Sequence, residues 1–387
     1  MNVNFEFFDK EPLENLITCL NYKMDKVIFF GHSDLMNQER IENTRSSLRD
    51  ICGITDVKFV ELSKSNLYRV LEILEKEIQM EKNRGSNCFF DLTGGEGLIL
   101  VAMGILSTQF NAPLHQYDVW KNELHTLNNR EFPGLEELAE PRKIQLTLDD
   151  VIAMWGGSIN YRQQKVVKSQ MEDPEFMENF EKLWSVAGKD SRKWNGLSGV
   201  FKKLLSREDE EMNVLASRKE FQRAVQQSSG ITFKQAEIMI HQLGDAGILE
   251  EVWSSEEAIG FRYKDPIIKE CMLDAGCALE LHAYYEKQRS GLYSDCRVGV
   301  HIDWDGDTTG PELDVENEID VLALQGYIPV FSSCKNGKVN QMALYELETV
   351  ARRFGGRYVR REMIAGQHMT EGYEARAEEM GIQVIYI

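Results

Sequence analysis

The chain reads as an α/β protein in three regions: a Rossmann-type parallel sheet over residues 1–140, a helical stretch with a candidate winged helix over 141–265, and a second α/β domain over 266–387. Three observations lead there. Short β-branched or aromatic runs alternate with longer helical patterns from the start to about Val119, mainly helical and charged sequence follows Pro141, and mixed strand and helix signals return beyond Asp265. At 387 residues the chain also exceeds what one hydrophobic core serves.

In the first region the strands are expected at Val3–Phe8, Lys26–Phe30, Val57–Leu62, Asn87–Leu92 and Leu114–Val119. Helical patterns fill the gaps at Leu13–Leu20, Gln38–Cys52, Asn66–Asn83 and Gly97–Phe110, the last stopped by Asn111-Ala112-Pro113. Parallel neighbours need crossover helices, so this alternation predicts a doubly wound sheet. In the middle region helices are expected at Leu148–Met154, Asp173–Trp184 and Lys219–Gln227, and Thr232–Glu250 has the helix, Gly turn and strand of a winged helix. Acidic Glu237, Asp245, Glu250 and Glu251 favour a spacer over a DNA reader there. The last region predicts a helix at Lys269–Gln288, strands at Arg297–Asp303, Glu316–Ala323 and Ile328–Ser333, a helix at Gln341–Phe354, and strands at Arg357–Arg361 and Gln383–Ile387. A Gly/Asp/Pro loop precedes Glu316.

Composition excludes several classes. Hydrophobic residues at 42% predict a folded chain, and the longest strongly apolar run, Gly97–Leu106, is too short to span a bilayer. The N-terminus lacks the blocks of a signal peptide, so a cytosolic, cytoplasmic protein with no membrane partner is expected. Seven scattered cysteines without a Cys-x-x-Cys pair indicate neither a disulfide framework nor a structural zinc site. Lys+Arg 44 against Asp+Glu 63 gives a charge of −19, which by itself argues against nucleic acid as a partner.

Two constellations carry chemistry. In the first, Asp91-Leu92-Thr93-Gly94-Gly95-Glu96-Gly97 leaves a strand and opens a helix, a turn whose backbone N–H groups suit an anion. It is neither the dinucleotide fingerprint nor a P-loop. If the first and fourth strands are neighbours, the crevice at their carboxyl ends is made by Asp9, Lys10, Glu11 and Pro12 with Thr93, Gly94, Gly95, Glu96 and Gly97, and His32 and Ser33 stand at its edge. On the motif alone, a helix cap at Thr93 and a tight glycine turn explain the residues equally well. The Asp91–Gly95 run, with Phe8-Asp9-Lys10-Glu11-Pro12 after the first strand, resembles the CARF domains of type III CRISPR accessory proteins. That resemblance implies a homodimer binding a cyclic oligoadenylate across its two-fold axis, with cyclic tetra-adenylate the expected activator. Gly97 stands where the family pattern often has Lys or Arg.

In the second, Glu318 and Asp320 lie two apart on one strand and so share a face, and the next strand ends in Ser333-Cys334-Lys335. Glu280 sits among apolar helix neighbours, so it turns inward. Carboxylates beside a lysine suit an oxygen-preferring Mg²⁺ or Mn²⁺. A solvated Glu-x-Asp pair and a strand-end lysine are the plainer alternative. The order of these elements resembles the PD-(D/E)xK fold, that is, a restriction-endonuclease-like domain, and Asn317–Val321 with Ser333–Lys335 and Gly355-Gly356 resembles the nuclease half of CARF-nuclease effectors. The resemblance implies catalytic Glu280, Glu318, Asp320, Ser333 and Lys335, with Glu280, Asp320 and the Cys334 carbonyl on the metal. The motif expects a carboxylate where Ser333 stands, and Glu318 or Glu348 is the expected replacement.

Other residues read more plainly: His282 and His301 as structural, Trp184 and Trp194 as packing anchors. Two basic clusters, Arg357, Arg360 and Arg361 with Lys335 and Lys338, and Arg192, Lys193, Lys202 and Lys203, are solvated faces or phosphate contacts. The expectation is a cyclic-oligoadenylate-activated, metal-dependent nuclease of antiviral defence, cutting DNA with RNA as the second candidate. A catalytically inactive, ligand-sensing regulator that binds nucleic acid is the alternative. A small-molecule enzyme comes third, for want of a nucleophile, base and orienter set.

Overall fold

A computed structural model describes residues 1–62, 66–127, 133–163, 173–205, 212–306 and 316–387. Residues 307–315 of the expected Gly/Asp/Pro loop lie outside that description.

β1 (Asn2–Phe7) is buried along nearly its whole length, as a central parallel strand covered on both faces must be. With α1 (Ile17–Asn21), β2 (Lys26–Gly31), α2 (Gln38–Asp50), β3 (Asp56–Glu61), α3 (Leu67–Asn83), β4 (Asn87–Asp91), α4 (Gly97–Phe110), β5 (Leu114–Asp118) and β6 (Glu123–Thr126) it forms a sheet of order β3-β2-β1-β4-β5-β6. All pairs are parallel except β5 with β6, which the sequence reading did not anticipate. The order reverses between β1 and β4, as the crevice argument requires. The helix expected at Leu13–Leu20 shortens to α1, because Asp9 and Asn15 lock the preceding loop: the Asp9 N–H donates to Asn15 Oδ1 at 2.8 Å and Asn15 Nδ2 to the Asp9 carbonyl at 3.0 Å.

α5 (Leu135–Leu138), α6 (Leu148–Met154) and β7 (Ser158–Ile159) lead out of this domain. β7 pairs with the C-terminal sheet, so residues 148–159, assigned to the middle region from sequence, belong structurally with the last. The middle contains α7 (Pro174–Ala187), α8 (Ser191–Leu204), β8 (Asn213–Ser217), α9 (Arg218–Gln226), α10 (Phe233–Asp245), β9 (Leu249–Ser254) and β10 (Ala258–Tyr263). Capping boxes at Ser217/Glu220 and Thr232/Gln235 start α9 and α10, and the antiparallel sheet β8-β10-β9 completes a winged-helix-like unit.

The single helix expected at Lys269–Gln288 is two, α11 (Pro266–Leu273) and α12 (Cys277–Ser290). Asp274 turns extended and its side chain accepts the Gly276 N–H at 3.1 Å, which breaks the helical run. β11 (Asp295–Asp303), β12 (Glu316–Gln325), β13 (Ile328–Lys335), α13 (Gln341–Gly355), β14 (Arg360–Ala365), α14 (Glu371–Glu379) and β15 (Ile382–Tyr386) follow, with sheet order β15-β14-β13-β12-β11-β7. Strand β13 runs on to Lys335, two residues past its expected end. The strand expected from Arg357 starts at Arg360, because Gly356–Tyr358 form a 3₁₀ turn. Helix α14 was not anticipated.

The C-terminal sheet is covered on both faces. One face shares a core with the N-terminal domain, in which Phe8, Phe29 and Leu48 join Ile319, Phe331 and Leu344. The other packs on α12 and the winged-helix unit, where Val298, Val321 and Ile364 join Phe201 and Leu281. A buried ion pair fixes α12 to that face: Lys287 bonds Glu362 on β14, and Ser332 Oγ donates to the same carboxylate at 2.8 Å.

Removing one partner of a buried pair leaves an uncompensated charge. Lys287→Met is therefore expected to cost about 3–5 kcal/mol, read as a fall in Tm, and the double variant Lys287→Met/Glu362→Leu to recover most of it. A single variant melting with the unaltered chain would show that the pair does not hold α12.

Candidate functional site

The two loops predicted to form the N-terminal crevice do meet. Asp9 Oδ2 accepts the Gly95 N–H at 3.3 Å while its Oδ1 accepts the Glu11 N–H at 3.1 Å. A Cβ at Gly94 would lie 2.8 Å from Glu14 Oε2, so only glycine lets the loops approach this closely. Thr93 is not a side-chain cap: its Oγ1 accepts the Tyr117 N–H at 2.9 Å, which ties the turn to β5. His32 is buried, with Nδ1 2.9 Å from the Leu62 carbonyl oxygen and Nε2 3.0 Å from Glu96, so it positions Glu96 at the rim. Ser33 is exposed there. Lys10 and Pro12 turn the other way, lining a cavity of about 240 Å³ with Arg40 and Arg353.

Beneath the turn lies a polar row that sequence reasoning missed. Glu6, Asp91 and His115 stand side by side on β1, β4 and β5 by register, and all are buried. Thr18 Oγ1 donates to Asp91 at 2.5 Å and lies 3.0 Å from His115 Nε2, and Asp91 Oδ1 accepts the Thr93 N–H at 2.8 Å. Burial alone would raise Asp91, but the His115 charge and the bonds from His115, Thr18 and Thr93 outweigh it and hold the carboxyl at about 2. Glu6 is pushed well up, by burial first and then by Asp91. The signal was available as charged or polar residues inside otherwise apolar strands.

The carboxylates of the β1 loop face the C-terminal domain. Glu11 Oε2 accepts the Arg357 N–H at 3.1 Å, Glu14 Oε2 accepts from Arg357 Nη2 at 3.1 Å, and the Tyr358 hydroxyl donates to Glu14 Oε1. Arg357 Nη2 also lies 3.5 Å from Asp9 Oδ1. Gly356, at φ 56°, makes the contact possible, since a Cβ there would sit 2.0 Å from Glu11 Oε2. Glu11 is therefore a contact between domains, not a crevice wall. Arg357, Arg360 and Arg361 likewise do not flank the Lys335 site. Arg360 pairs with Val330 and Ala365 with Lys335, which puts the cluster about 16 Å away at the far end of the sheet.

In the C-terminal domain, one carboxylate oxygen from each of Glu280, Glu318 and Asp320 lies within 4.8 Å of the others. The β12–β13 ladder stops at Val321/Ser332, and Asp320 occupies the parting. Its Oδ2 accepts the Cys334 N–H at 2.6 Å and Ser333 Oγ at 3.1 Å, with Lys335 Nζ at 3.5 Å; none of the three uses Oδ1. The β11–β12 ladder also lacks the Gly299/Asp320 pair, with the register the same on either side, and Gly299 takes φ 60°. In a regular strand Ile319 and Val321 would share a face, yet they enter opposite cores, so the irregularity turns Asp320 and Val321 together toward α12. Ser333 thus replaces the expected carboxylate as a donor that orients Asp320. Glu348 is on α13, whose apolar residues fill the core on the opposite face, and Glu318 completes the cluster.

His301 stands directly across from Glu318 on β11. His282 stacks on Trp184 at 4.1 Å, with burial lowering its pKa, and Trp194 is buried, so these act in packing.

Burial pushes Glu14 up to about 8, with Asp9 and Glu11 adding to it against the Tyr358 bond and Arg357. Between its ordinary value near 4.3 and about 8, the folded chain holds a proton the unfolded chain has released, so stability falls as pH rises through that window. Relative to Glu14→Gln, the unaltered chain is expected to lose stability from pH 5 to pH 8, with a slope approaching about 1.4 kcal/mol per pH unit. Parallel melting curves across that range would exclude a buried, titrating Glu14.

No protein-family model and no curated sequence matches the chain. Among solved structures it superposes on protein VC1899 from Vibrio cholerae with a TM-score of 0.73 at 16% identity, covering 100% of this chain and 94% of that one. It also superposes on Can2 from Sulfobacillus thermosulfidooxidans in complex with cyclic tetra-adenylate, with a TM-score of 0.65 at 15% identity, covering 99% of this chain and 93% of Can2. At that identity the likeness concerns the fold. Along its whole length the chain shares the fold of these two proteins, a Rossmann-like sheet of the CARF type joined through a winged-helix-like middle to a restriction-endonuclease-like sheet.

Proposed function

We propose that this chain is a divalent-metal-dependent nuclease, active as a homodimer and switched on by cyclic tetra-adenylate, that cuts DNA and, as a second substrate, RNA in antiviral defence. The observation that carries the proposal is the meeting of Glu280, Glu318 and Asp320 with Lys335 at the parting of two strands. The donor set fits Mg²⁺ or Mn²⁺: three carboxylates supply hard oxygens, and burial pushes the Cys334 thiol well up, so it offers no thiolate. In an extended strand the N–H and C=O of one residue face the same edge, so the Cys334 carbonyl faces the parting alongside its N–H. The Lys335 carbonyl faces the other edge and accepts the Gly366 N–H at 3.1 Å. A bound divalent cation would polarise the phosphodiester and acidify a water. Ser333 and the Cys334 N–H hold Asp320 in place, Lys287 and Glu362 hold the helix bearing Glu280, and the Lys335 ammonium offsets charge on an entering phosphate.

The crevice supports the activator. A phosphate arriving at the Gly95 N–H competes with Asp9 Oδ2 for that donor, and Asp9 already reaches Arg357 through Oδ1. Ligand binding thereby bears on the turn that begins β14, and an activator that prefers one arrangement of this contact shifts the domains toward it. α4 supports the dimer. It starts at Gly97 of the crevice turn and exposes Leu98, Val101 and Ile105 at 40%, 53% and 45%, a helical apolar stripe.

Incubation of the full chain with labelled single- and double-stranded DNA and RNA, Mn²⁺ and cyclic tetra-adenylate should give cleavage only when both small ligands are present. Asp320→Ala should abolish it while leaving the melting curve intact. Undiminished cleavage by that variant would remove Asp320 from the site, and ligand binding without cleavage in the unaltered chain would favour the inactive regulator.

Val101→Glu/Ile105→Glu is expected to convert a dimer to a monomer in light scattering and to lower activator affinity. A monomeric unaltered chain would refute the role assigned to the stripe.

A further inference from the structure

A cavity of about 630 Å³ opens between the start of α8, the β13–α13 loop and the β14–α14 loop. Lys189, Arg192 and Lys338 line it, and none of the three has an ion-pair partner among the described residues. Among the described residues, the acidic side chain that lines the cavity, Asp190, is already 2.7 Å from Lys193. In a chain of net charge −19, three cations around one hollow that have no ion-pair partner among the described residues favour a local field opposite in sign to the average surface. His368, tilted against Tyr386 with ring centroids 4.4 Å apart, brings an aromatic ring to the same wall.

Hydrogen bonds tie the wall of the cavity to the end of β13, the strand that carries Lys335. Gly366, in its wall, donates its N–H to the Lys335 carbonyl, and Gln367 Nε2 donates to the Asn336 carbonyl at 3.3 Å. Ser191 Oγ donates to the Gly366 carbonyl at 2.6 Å, which joins the start of α8 to the same wall. The residue after Lys335 also reaches the approach to α12, because Asn336 Nδ2 donates to the Ala275 carbonyl at 3.0 Å.

We infer that this cavity binds the phosphodiester backbone of a single nucleic-acid strand next to the phosphate presented to Glu280, Glu318 and Asp320. Arg192 and Lys338 contact phosphates, and His368 offers a face on which an unpaired base stacks. The inference rests on the nuclease reading for its direction, since the strand continues from the cleft. It also takes the place of Arg357, which serves the domain contact, and of Arg360 and Arg361, which bond Gln325 and the Met380 carbonyl, as the source of positive charge near the site.

The test is binding of fluorescein-labelled oligothymidine to the full chain carrying Asp320→Ala, with Mn²⁺, with and without cyclic tetra-adenylate, as a function of salt. Arg192→Gln/Lys338→Gln is expected to weaken binding about tenfold and to reduce the slope of log K against log salt by about 1.4, two lost phosphate contacts on a single strand. Lys202→Gln/Lys219→Gln, which removes equal charge from exposed positions outside the cavity, should leave both unchanged. His368→Ala should weaken binding without changing the slope. Equal effects of the two charge pairs, or no binding by the parent, would overturn the inference. Cavity-dependent binding with no cleavage by the chain bearing Asp320 would uphold it and overturn the nuclease reading instead.

Discussion

Glu14 has no solvent-accessible side chain and holds both the Arg357 guanidinium and the Tyr358 hydroxyl. A carboxyl buried without such partners would be costly, so this contact requires the β1 loop and the turn before β14 to stay together. Much else depends on it. The loop also presents Asp9 to the Gly95 N–H, and the turn sets where β14, the neighbour of β13, begins. The two large sheets accordingly share one hydrophobic core and do not hang from a linker. A change at the crevice has a short physical route to the strand beside Lys335, about one strand length through β14.

Charge is distributed by task. Several acidic side chains are engaged inside the fold: Asp91 against His115, Glu11 and Glu14 against the Gly356–Tyr358 turn, Glu362 against Lys287, and three carboxylates at the parting of β12 and β13. Lys189, Arg192 and Lys338, with no ion-pair partner among the described residues, gather instead at the cavity between the start of α8 and the loops after β13 and β14. A net charge of −19 therefore says little about any one surface. The winged-helix-like unit follows the same logic: Glu237 on α10 pairs with Arg218, and the unit's apolar residues fill the core against α12, so it serves as the wall that holds Glu280.

Local signals made much of this legible. α4 and α6 fall where periodicity and the Asn111-Ala112-Pro113 stop place them, and the β1–β4 neighbourhood follows from the strand and helix alternation. Glu280, Glu318 and Asp320 were nameable because a helix, a strand and a lysine-terminated strand come in a recognisable order; one oxygen of each lies within 4.8 Å of the others. The break at Asp274–Gly276, the late start of β14 and the joining of residues 148–159 to the last sheet were not legible. The last two depend on partners distant in sequence, Glu11 and β11, while the first rests on the Asp274 side chain bonding the Gly276 N–H two residues on.

The sequence by itself determined the strand and helix alternation, the glycine turn after β4 and the residue types able to hold a hard cation, because spacing, breakers and donor chemistry are local properties. Tertiary structure alone decided that Asp320 turns toward α12 where the β11–β12 ladder lacks one pair, that Ser333 serves it as a donor, and that Arg357 belongs to the domain contact and not to the cleft. Each of those outcomes is set by which groups desolvate one another, and no pattern within a single segment records that.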